Sequence, residues 1–489
     1  MILLRIIEKL LILYFGLYLF TDIWLYLSAL RLFISRKERK QGRKGLAPEA
    51  QPNVSVIVPA YNEEVSVVTC SKMLLDLDYD HYEVIVVNDG SLDDTLEKML
   101  ESFSWTALPL AESDLSGINT SEIRQVYRSE NGKLLLIDKV NGGKADAINT
   151  ALKVAGGEFI CTIDADSILD REALQRVIEP MVRNDAVFVS GGQLALSNDL
   201  TIKNNKVVSA RMPRNIWVHW QILEYISTFM VARMSLSRIN ALLIMSGAFS
   251  IFRKNDLLEV GGFLTKQNQH PYILKTLGSG KHTITEDMEV VLRLWKYYRD
   301  RKRKAKAVFM PGPVCWTEAP EKPNQLYKQR MRWHQGLAET LWLYRHMIFE
   351  PRYRVTGLLA IPYYFFMELI SPAVKLFTIL FVSGLVVSGI LNQQWIILML
   401  AGTILITTII MSTITVIIEN WSMHQSATNR DALRYKNFSD WIVLLLSGLL
   451  SNFSYSFFRM FAQLHGIINY FRKRQEWNKF ERKGLKSEE

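Results

Sequence analysis

Apolar and polar positions divide this chain into an apolar start, a mixed middle and a largely apolar end. Residues 10–30 form a 21-residue stretch between Lys9 and Arg31, interrupted only by Asp22. About 20 apolar residues suffice to cross a bilayer core, so the stretch predicts one transmembrane helix. It is too long for a cleaved signal peptide, and no small-residue cleavage pattern follows it. From Pro52 the texture becomes that of an α/β domain. Val54-Ser55-Val56-Ile57-Val58 predicts a strand stopped by Pro59, residues 63–77 have helical spacing, and Glu83-Val84-Ile85-Val86-Val87 predicts a second strand ending at Asn88-Asp89-Gly90. That order is β-α-β, with both strand ends opening on the edge where parallel sheets bind ligands. Phe159-Ile160-Cys161-Thr162-Ile163 predicts a further buried strand with Asp164-Ala165-Asp166 at its carboxyl end. Val187-Phe188-Val189-Ser190 and Ala307-Val308-Phe309-Met310 complete the sheet. Residues 102–128, with Glu112, Ser113, Asp114, Ser116, Gly117 and Asn119, read as a loop-rich insertion. Residues 211–233, with Trp217, Trp220 and Tyr225, predict an amphipathic interface helix or a buried core helix.

After Arg354 the chain is apolar again. Residues 355–374 are broken by Glu368, and the 43 residues 376–418 carry no charge, enough for two crossings. Residues 441–458 add another, either as a span or as part of a short hairpin reaching residue 471. Basic clusters flank these segments: Arg36, Lys37, Arg39, Lys40, Arg43 and Lys44 after the first, and Arg472, Lys473, Arg474, Lys479, Arg482 and Lys483 in the tail. The positive-inside rule keeps both cytoplasmic, together with the middle of the chain. Much of the net charge of +10 lies in these clusters. A nucleic-acid partner would want basic residues and aromatics on one folded surface, so none is expected. The three cysteines, Cys70, Cys161 and Cys315, form no Cys-x-x-Cys pair, which argues against a zinc site or disulfide framework and suits a reducing compartment.

Several short patterns in the middle carry candidate chemistry. Asp164 and Asp166 at a strand tip can contact a divalent cation and a bound nucleotide together; the plain alternative is a solvated turn, with Asp170 capping a helix. Asn88-Asp89-Gly90-Ser91 is also an ordinary turn tetrapeptide. Lys144 in Asn141-Gly142-Gly143-Lys144-Ala145 precedes a helix, where glycines and a lysine suit a diphosphate. Thr285-Glu286-Asp287 opens a helical run to Trp295. Either Thr285 caps that helix and the acids favour its dipole, or one acid is a base that deprotonates an attacking hydroxyl.

Taken in order, these motifs resemble the processive family 2 glycosyltransferases, the membrane synthases of hyaluronan, poly-N-acetylglucosamine, chitin and cellulose. The resemblance runs from about Asn53 to Trp333 and rests on Val58-Pro59-Ala60-Tyr61-Asn62-Glu63-Glu64, Asp89, Asp164-Ala165-Asp166, Ser246-Gly247-Ala248, Thr285-Glu286-Asp287 and Gln329-Arg330-Met331-Arg332-Trp333. The last is the most specific. The resemblance implies an α/β fold of GT-A type (Rossmann-like), cytoplasmic and inserted between transmembrane α-helices of a multi-pass cell-membrane protein. Its expected parts are an N-terminal helix (1–35), a basic linker (36–51), the glycosyltransferase domain with interface helices (52–335), C-terminal membrane or interface helices (336–472) and a basic tail (473–489).

It further implies that Tyr61, Glu63 and Asp89 hold the uridine and that Lys144 reaches the diphosphate. Asp164 and Asp166 would place the sugar and a Mg²⁺ or Mn²⁺ ion, and Asp287 would be the general base. Gln329 and Arg332 would steady the leaving diphosphate, with Trp333, Glu286 and Gly247 on the acceptor side. The implied partners are a UDP-sugar donor, a growing polysaccharide, the lipid bilayer and a small accessory membrane subunit. Asp22 and Glu368 are candidates for polar positions facing a pathway inside the spans; an interfacial Glu368 beside Lys375 is the alternative. About nineteen residues follow Tyr470, which leaves no room for a cyclic-di-GMP-binding barrel, and a Phe-x-Val-Thr gating motif is absent. A poly-N-acetylglucosamine-like or hyaluronan-like synthase is therefore preferred. The alternatives are a non-processive membrane transferase that adds one sugar to a lipid or glycan, and a cellulose or mixed-linkage β-glucan synthase without the cyclic-di-GMP domain.

Overall fold

The computed structural model of the chain describes residues 2–38, 46, 48–109, 117–203, 206–390, 393–423 and 437–473. Most of the basic cluster after residue 38, residues 110–116 of the expected insertion and the tail beyond Lys473 lie outside the described residues.

Short runs, too brief for helices and in the middle of the sheet rich in Val, Ile and Leu buried on both faces, form the strands of the middle region. They are β1 (Val54–Ala60), β2 (Tyr82–Asp89), β3 (Trp105–Leu108), β4 (Ile123–Ser129), β5 (Leu134–Lys139), β6 (Phe159–Ile163), β7 (Ile168–Leu169), β8 (Val187–Leu196), β9 (Leu200–Lys203), β10 (Lys206–Ala210), β11 (Phe249–Arg253) and β12 (Lys306–Thr317). A ten-stranded sheet has the order β3-β4-β5-β2-β1-β6-β11-β8-β12-β7, while β9 and β10 pair by themselves. Strands β5, β2, β1 and β6 are parallel to one another. Strand β11 is antiparallel to both β6 and β8, so β8 runs with the parallel set, as does β12. The carboxyl ends of the parallel strands thus open on one edge, and the reversed β11 brings its beginning, Ser246-Gly247-Ala248, to that same edge.

The helices are α1 (Ile2–Glu38), α2 (Val67–Leu75), α3 (Thr95–Ser102), α4 (Lys144–Val154), α5 (Ala173–Arg183), α6 (Ile216–Glu224), α7 (Arg233–Arg238), α8 (Lys254–Glu259), α9 (Pro271–Leu277), α10 (Glu286–Asp300), α11 (Pro323–Leu343), α12 (Ile361–Tyr363), α13 (Ser371–Val387), α14 (Gln393–Met423), α15 (Phe438–Phe453) and α16 (Tyr455–Phe471). A π-helical segment, Tyr225–Ala232, joins α6 to α7, and two more, Thr356–Ala360 and Tyr364–Leu369, flank α12. The amphipathic helix expected at residues 211–233 is this α6–α7 unit, and its Trp220, Ile222, Tyr225 and Ile226 are buried.

Several sequence expectations are corrected. The insertion at residues 102–128 contains β3 and β4, which extend the sheet from its β5 edge. Residues 355–374 are not one continuous helix: it breaks at Ile370, where Ser371-Pro372 starts a new one, and Pro372 has no N–H to continue the old ladder. Helix α5 has Glu172 at its cap position, two residues after Asp170. Among the described residues no single helix is both long and apolar enough to cross a membrane. Two bent pairs are, by length and composition: Thr356–Leu369 with Ser371–Val387, bent by 43°, and Phe438–Phe453 with Tyr455–Phe471, bent by 50°. Helix α1 contains the apolar run of residues 10–30 together with Tyr14, Tyr18, Thr21, Asp22, Trp24 and Tyr26. Its outer face still exposes Leu10, Ile12, Leu13, Leu17 and Phe20.

Candidate active site

A cavity of about 1490 Å³ opens at the carboxyl edge of the sheet. Tyr61, Glu63, Asp89, Lys144, Asp164, Asp166, Gly247, Glu286, Asp287, Gln329, Arg332 and Trp333 all line it. Residues more than 200 positions apart in sequence therefore converge, because strand ends, the start of α10 and one face of α11 meet at a single edge. The cavity continues past Trp333 to Tyr18, Asp22, Tyr364, Glu368, Lys375 and Arg459. Asp22 and Glu368, the polar interruptions of two apolar stretches, thus face the same space.

On the β2 side, the Asp89 carboxylate is held by its neighbours. Its Oδ1 accepts from Lys139 Nζ at 2.7 Å and from the Gly142 N–H at 3.0 Å, and its Oδ2 accepts the Gly143 N–H at 2.8 Å. Burial pushes this carboxyl above its ordinary range, against the pull of Lys139 and the two N–H groups. Gly143 takes φ +90°, a conformation closed to most side chains, and so lets the chain turn into α4 with Lys144 as its first residue.

Lys144 joins two of the signatures. Its Nζ lies 2.6 Å from Asp164 Oδ1 and 3.3 Å from Glu286 Oε1. Burial alone would lower this ammonium, but Asp164, Glu286 and Asp287 outweigh it and hold the group charged. A methyl group on Gly247 would sit 2.8 Å from that Nζ, so the bare glycine leaves room for the lysine to cross. Asp287 Oδ2 accepts the Gly247 N–H at 3.1 Å and Oδ1 the Met288 N–H at 2.8 Å. Burial, reinforced by Glu286 and opposed by Lys144, pushes the Asp287 carboxyl up to about 6. The Asp287 carboxyl is thus brought toward neutrality, where a base works best. Thr285 does not cap the helix: its side chain makes no cap hydrogen bond and lies against Thr340 Oγ1 at 3.1 Å.

On the far side, α11 presents Gln329, Arg330, Arg332 and Trp333. The Arg330 guanidinium lies 4.1 Å above the Trp333 ring, and the Phe229 ring is 5.6 Å from it. Arg330 also donates to Gln329 Oε1 at 2.5 Å and, from Nε and Nη2, to Glu224 Oε2 at 3.0 and 2.6 Å. Glu224 completes its contacts with Tyr455 Oη at 2.6 Å and Arg459 Nη1 at 3.2 Å. Burial favours the neutral acid, yet Arg330 and Arg459 prevail and hold Glu224 below the usual carboxylate range. One carboxylate therefore ties α6, α11 and α16 together.

Among the described residues no group of three or more His, Cys, Asp or Glu converges as in a site built wholly from protein ligands. Asp164 and Asp166 are hard oxygen donors on one turn and both line the cavity. They fit a Mg²⁺ or Mn²⁺ ion whose remaining ligands are diphosphate oxygens and water. Sequence reasoning missed Lys139, Asp146 and Glu224. The only signal for Lys139 is that a charged residue ends the otherwise apolar run Leu134-Leu135-Leu136-Ile137 after Asp138.

The parallel-edged α/β sheet, with paired carboxylates, an acid pair and a basic-aromatic helix around one cleft, is a fold of GT-A type. Residues 119–336 match the family described as "Glycosyltransferase like family 2" and residues 55–106 match "Glycosyl transferase family 2". Over these residues the chain is similar to the family 2 glycosyltransferases. It is similar to a poly-beta-1,6-N-acetyl-D-glucosamine synthase of Staphylococcus epidermidis, 27% identical over 288 residues, 59% of this chain and 55% of the relative. A Staphylococcus aureus protein of the same name is 26% identical over 290 residues, again 59% of this chain and 55% of the relative. The chain thus spans little more than half the length of these curated relatives. In fold it is similar to a mannosyltransferase of Pyrobaculum calidifontis solved with GDP-Man and Mn²⁺, with a TM-score of 0.53, 18% identity, and coverage of 92% of this chain and 99% of that one.

Proposed function

We propose that the protein is a membrane-bound, processive, inverting β-glycosyltransferase that polymerises sugar from a UDP-sugar donor, in the manner of a poly-N-acetylglucosamine- or hyaluronan-like synthase. The observation that carries this reading is the single continuous cavity, which runs from Asp89, Asp164 and Asp166 past Asp287 and Trp333 to Asp22, Glu368 and Arg459. A transferase that adds one sugar has no need of a polar passage leading away from its acceptor position. A polymerase does, because a hydrophilic chain made at the cleft cannot enter hydrocarbon unaided. Outward-facing Leu358, Leu359, Phe366, Phe377, Leu380 and Leu446 on the helices around that passage suit a lipid surroundings.

The chemistry follows from the residues. The Asp287 carboxylate takes the proton from an acceptor hydroxyl as that oxygen attacks the anomeric carbon of the donor. The bond from that carbon to the diphosphate breaks, the electron pair leaves with the diphosphate oxygen, and the configuration inverts, so an α-linked donor yields a β-linked product. Negative charge grows on the leaving group, where Lys144, Gln329 and Arg332 act on it. Asp164 and Asp166 would hold the Mg²⁺ or Mn²⁺ ion, which when bound neutralises part of that charge. Tyr61, Glu63 and Asp89 form the nucleoside end, and Trp333 offers a ring face to the acceptor sugar.

The test is a panel of UDP-glucose, UDP-N-acetylglucosamine, UDP-glucuronate and UDP-galactose supplied to membranes holding the full chain, with mass analysis of the product. The expected outcome is a ladder of oligosaccharides from one donor, dependent on a divalent metal and absent in Asp287→Asn. A product that stops at one added sugar rejects processivity, and transfer that persists in Asp287→Asn rejects the base.

A further inference from the structure

We infer that Lys139 and Asp146 are positioning residues for the donor: with Asp89 they form a buried carboxylate–ammonium–carboxylate triad that shapes the 141–144 loop and keeps Asp89 an acceptor toward the nucleobase. The inference rests on the proposed reading of a uridine nucleotide at Asp89.

Lys139 is completely buried, and its Nζ lies 2.7 Å from Asp89 Oδ1 and 2.7 Å from Asp146 Oδ1. The same Nζ donates to Val140 O at 2.7 Å, so all three ammonium hydrogens have acceptors. Asp146 in turn takes the Ser121 N–H with both oxygens, at 3.2 Å each. The loop rests directly on this triad, since a methyl group on Gly142 would come within 2.4 Å of Asp146 Oδ1. Asn141 Nδ2 donates to the Asp89 carbonyl at 2.7 Å, which ties the loop's first residue to β2. Two residues beyond Gly142 is Lys144, which spans from Asp164 to Glu286. A buried ion pair is rarely more stabilising than apolar packing of equal volume. Such a group at the ligand edge of the sheet, bonded to a loop that carries a substrate-facing lysine, is therefore read here as functional.

The consequence for the ligand is chemical. With Oδ1 taken by Lys139 and Gly142, and Oδ2 by Gly143, the accepting capacity left on Asp89 is on Oδ2. An ionised carboxylate only accepts, so it suits the imide N3–H of uracil and opposes cytosine, whose N3 is itself an acceptor. Removing the ammonium leaves Asp89 and Asp146 as adjacent buried acids, one of which takes up a proton and becomes a donor. Donor affinity and uracil preference then fall together, while Asp287 and the helix that carries Trp333 are untouched.

The experiment measures UDP and CDP binding by calorimetry, and kcat and KM for the active donor, on the full-length detergent-solubilised protein, Lys139→Met, Asp146→Asn and the double variant. Lys139→Met is expected to weaken UDP about ten- to hundredfold, the cost of leaving a buried charged group without its partner. It should narrow the UDP-over-CDP preference and raise the donor KM by a larger factor than it lowers kcat. The double variant, which restores the net charge of the triad, is expected to regain UDP affinity to within about fivefold of wild type. Should Lys139→Met fail to fold, the double variant against Asp146→Asn carries the same comparison. UDP affinity unchanged in Lys139→Met, or equal losses for UDP and CDP with no recovery in the double variant, overturns the inference. Wild-type protein that binds no UDP sinks the donor reading itself, an outcome distinct from either.

Discussion

Gly336 of α11 sits directly against Thr285, the residue that leads into Glu286 and Asp287: a methyl group at position 336 would lie 2.3 Å from Thr285 Cγ2 and 2.8 Å from its Oγ1. The helix that carries Gln329, Arg332 and Trp333 therefore packs on the start of α10 at backbone distance. Two further bonds fix the contact, Thr285 Oγ1 to Thr340 Oγ1 at 3.1 Å and the Ile284 N–H to Glu339 Oε2 at 2.9 Å. The acceptor side and the proposed base thus share one joint.

Gly336→Ala tests that joint. Thr285 is β-branched and bonded on both sides, so it cannot swing clear, and the added methyl should push α10 away from α11. Overpacking of this kind costs about 1–3 kcal/mol, and a shift of roughly 1 Å in a reacting group can lower the rate about a hundredfold. The expected outcome is a drop in kcat of at least about tenfold with UDP affinity preserved. Unchanged kcat in a normally folded Gly336→Ala would show that the contact does not position Asp287.

The Asp287 carboxyl, pushed up to about 6 by burial and Glu286, gives the pH dependence a definite sign. A general base must be deprotonated, so kcat should fall as pH drops through about 6, tenfold per unit well below it, and level off above. Glu286→Gln removes the carboxylate that, with burial, raises Asp287, so its profile should shift to lower pH. A profile that stays in place in Glu286→Gln, or a rate that rises on acidification, contradicts the assignment.

Glu224 holds Arg330 of α11 and Tyr455 and Arg459 of α16, so Glu224→Gln should leave Arg330 and Arg459 facing each other across a group with no charge. Breaking a buried pair in this way costs about 3–5 kcal/mol, read as a marked fall in melting temperature. Because Arg330 covers the Trp333 ring, product length should shorten as well. Wild-type melting in Glu224→Gln would mean that solvent or another carboxylate already compensates the arginines.

Much of this architecture was legible from local pattern. Val54–Ala60 and Phe159–Ile163 are continuous apolar runs, which is what a strand buried on both faces looks like, and Asp164 follows one of them in the chain. The motif residues from Tyr61 to Trp333 line one cavity. What was not legible depends on partners distant in sequence. Strands β3 and β4 are short and half-exposed, and they become strands only through pairing that ends on β5. Thr285 looked like a helix cap because capping is a local signal, whereas its actual partner, Thr340, is 55 residues away. Glu224 has no such local signal, since its partners Arg330, Tyr455 and Arg459 lie more than 100 residues away.

Arg293 offers a test of stability remote from the substrate. It is completely buried on α10 and donates to Val260 O at 2.7 Å, Gly262 O at 2.8 Å and Glu289 Oε2 at 2.8 Å. Glu289 Oε1 accepts from Tyr344 Oη at 2.6 Å, so this network pins the body of α10 to the loop after α8 and to the end of α11. Arg293→Met strands the Glu289 carboxylate and two carbonyls, and should cost about 3–5 kcal/mol. Adding Glu289→Met removes the stranded charge, so the double variant is expected to melt above Arg293→Met alone, with a coupling of about 1–3 kcal/mol in the mutant cycle. Additive losses would mean that the two side chains stabilise the fold separately, and that the ion pair is not what holds α10 in place beneath Asp287.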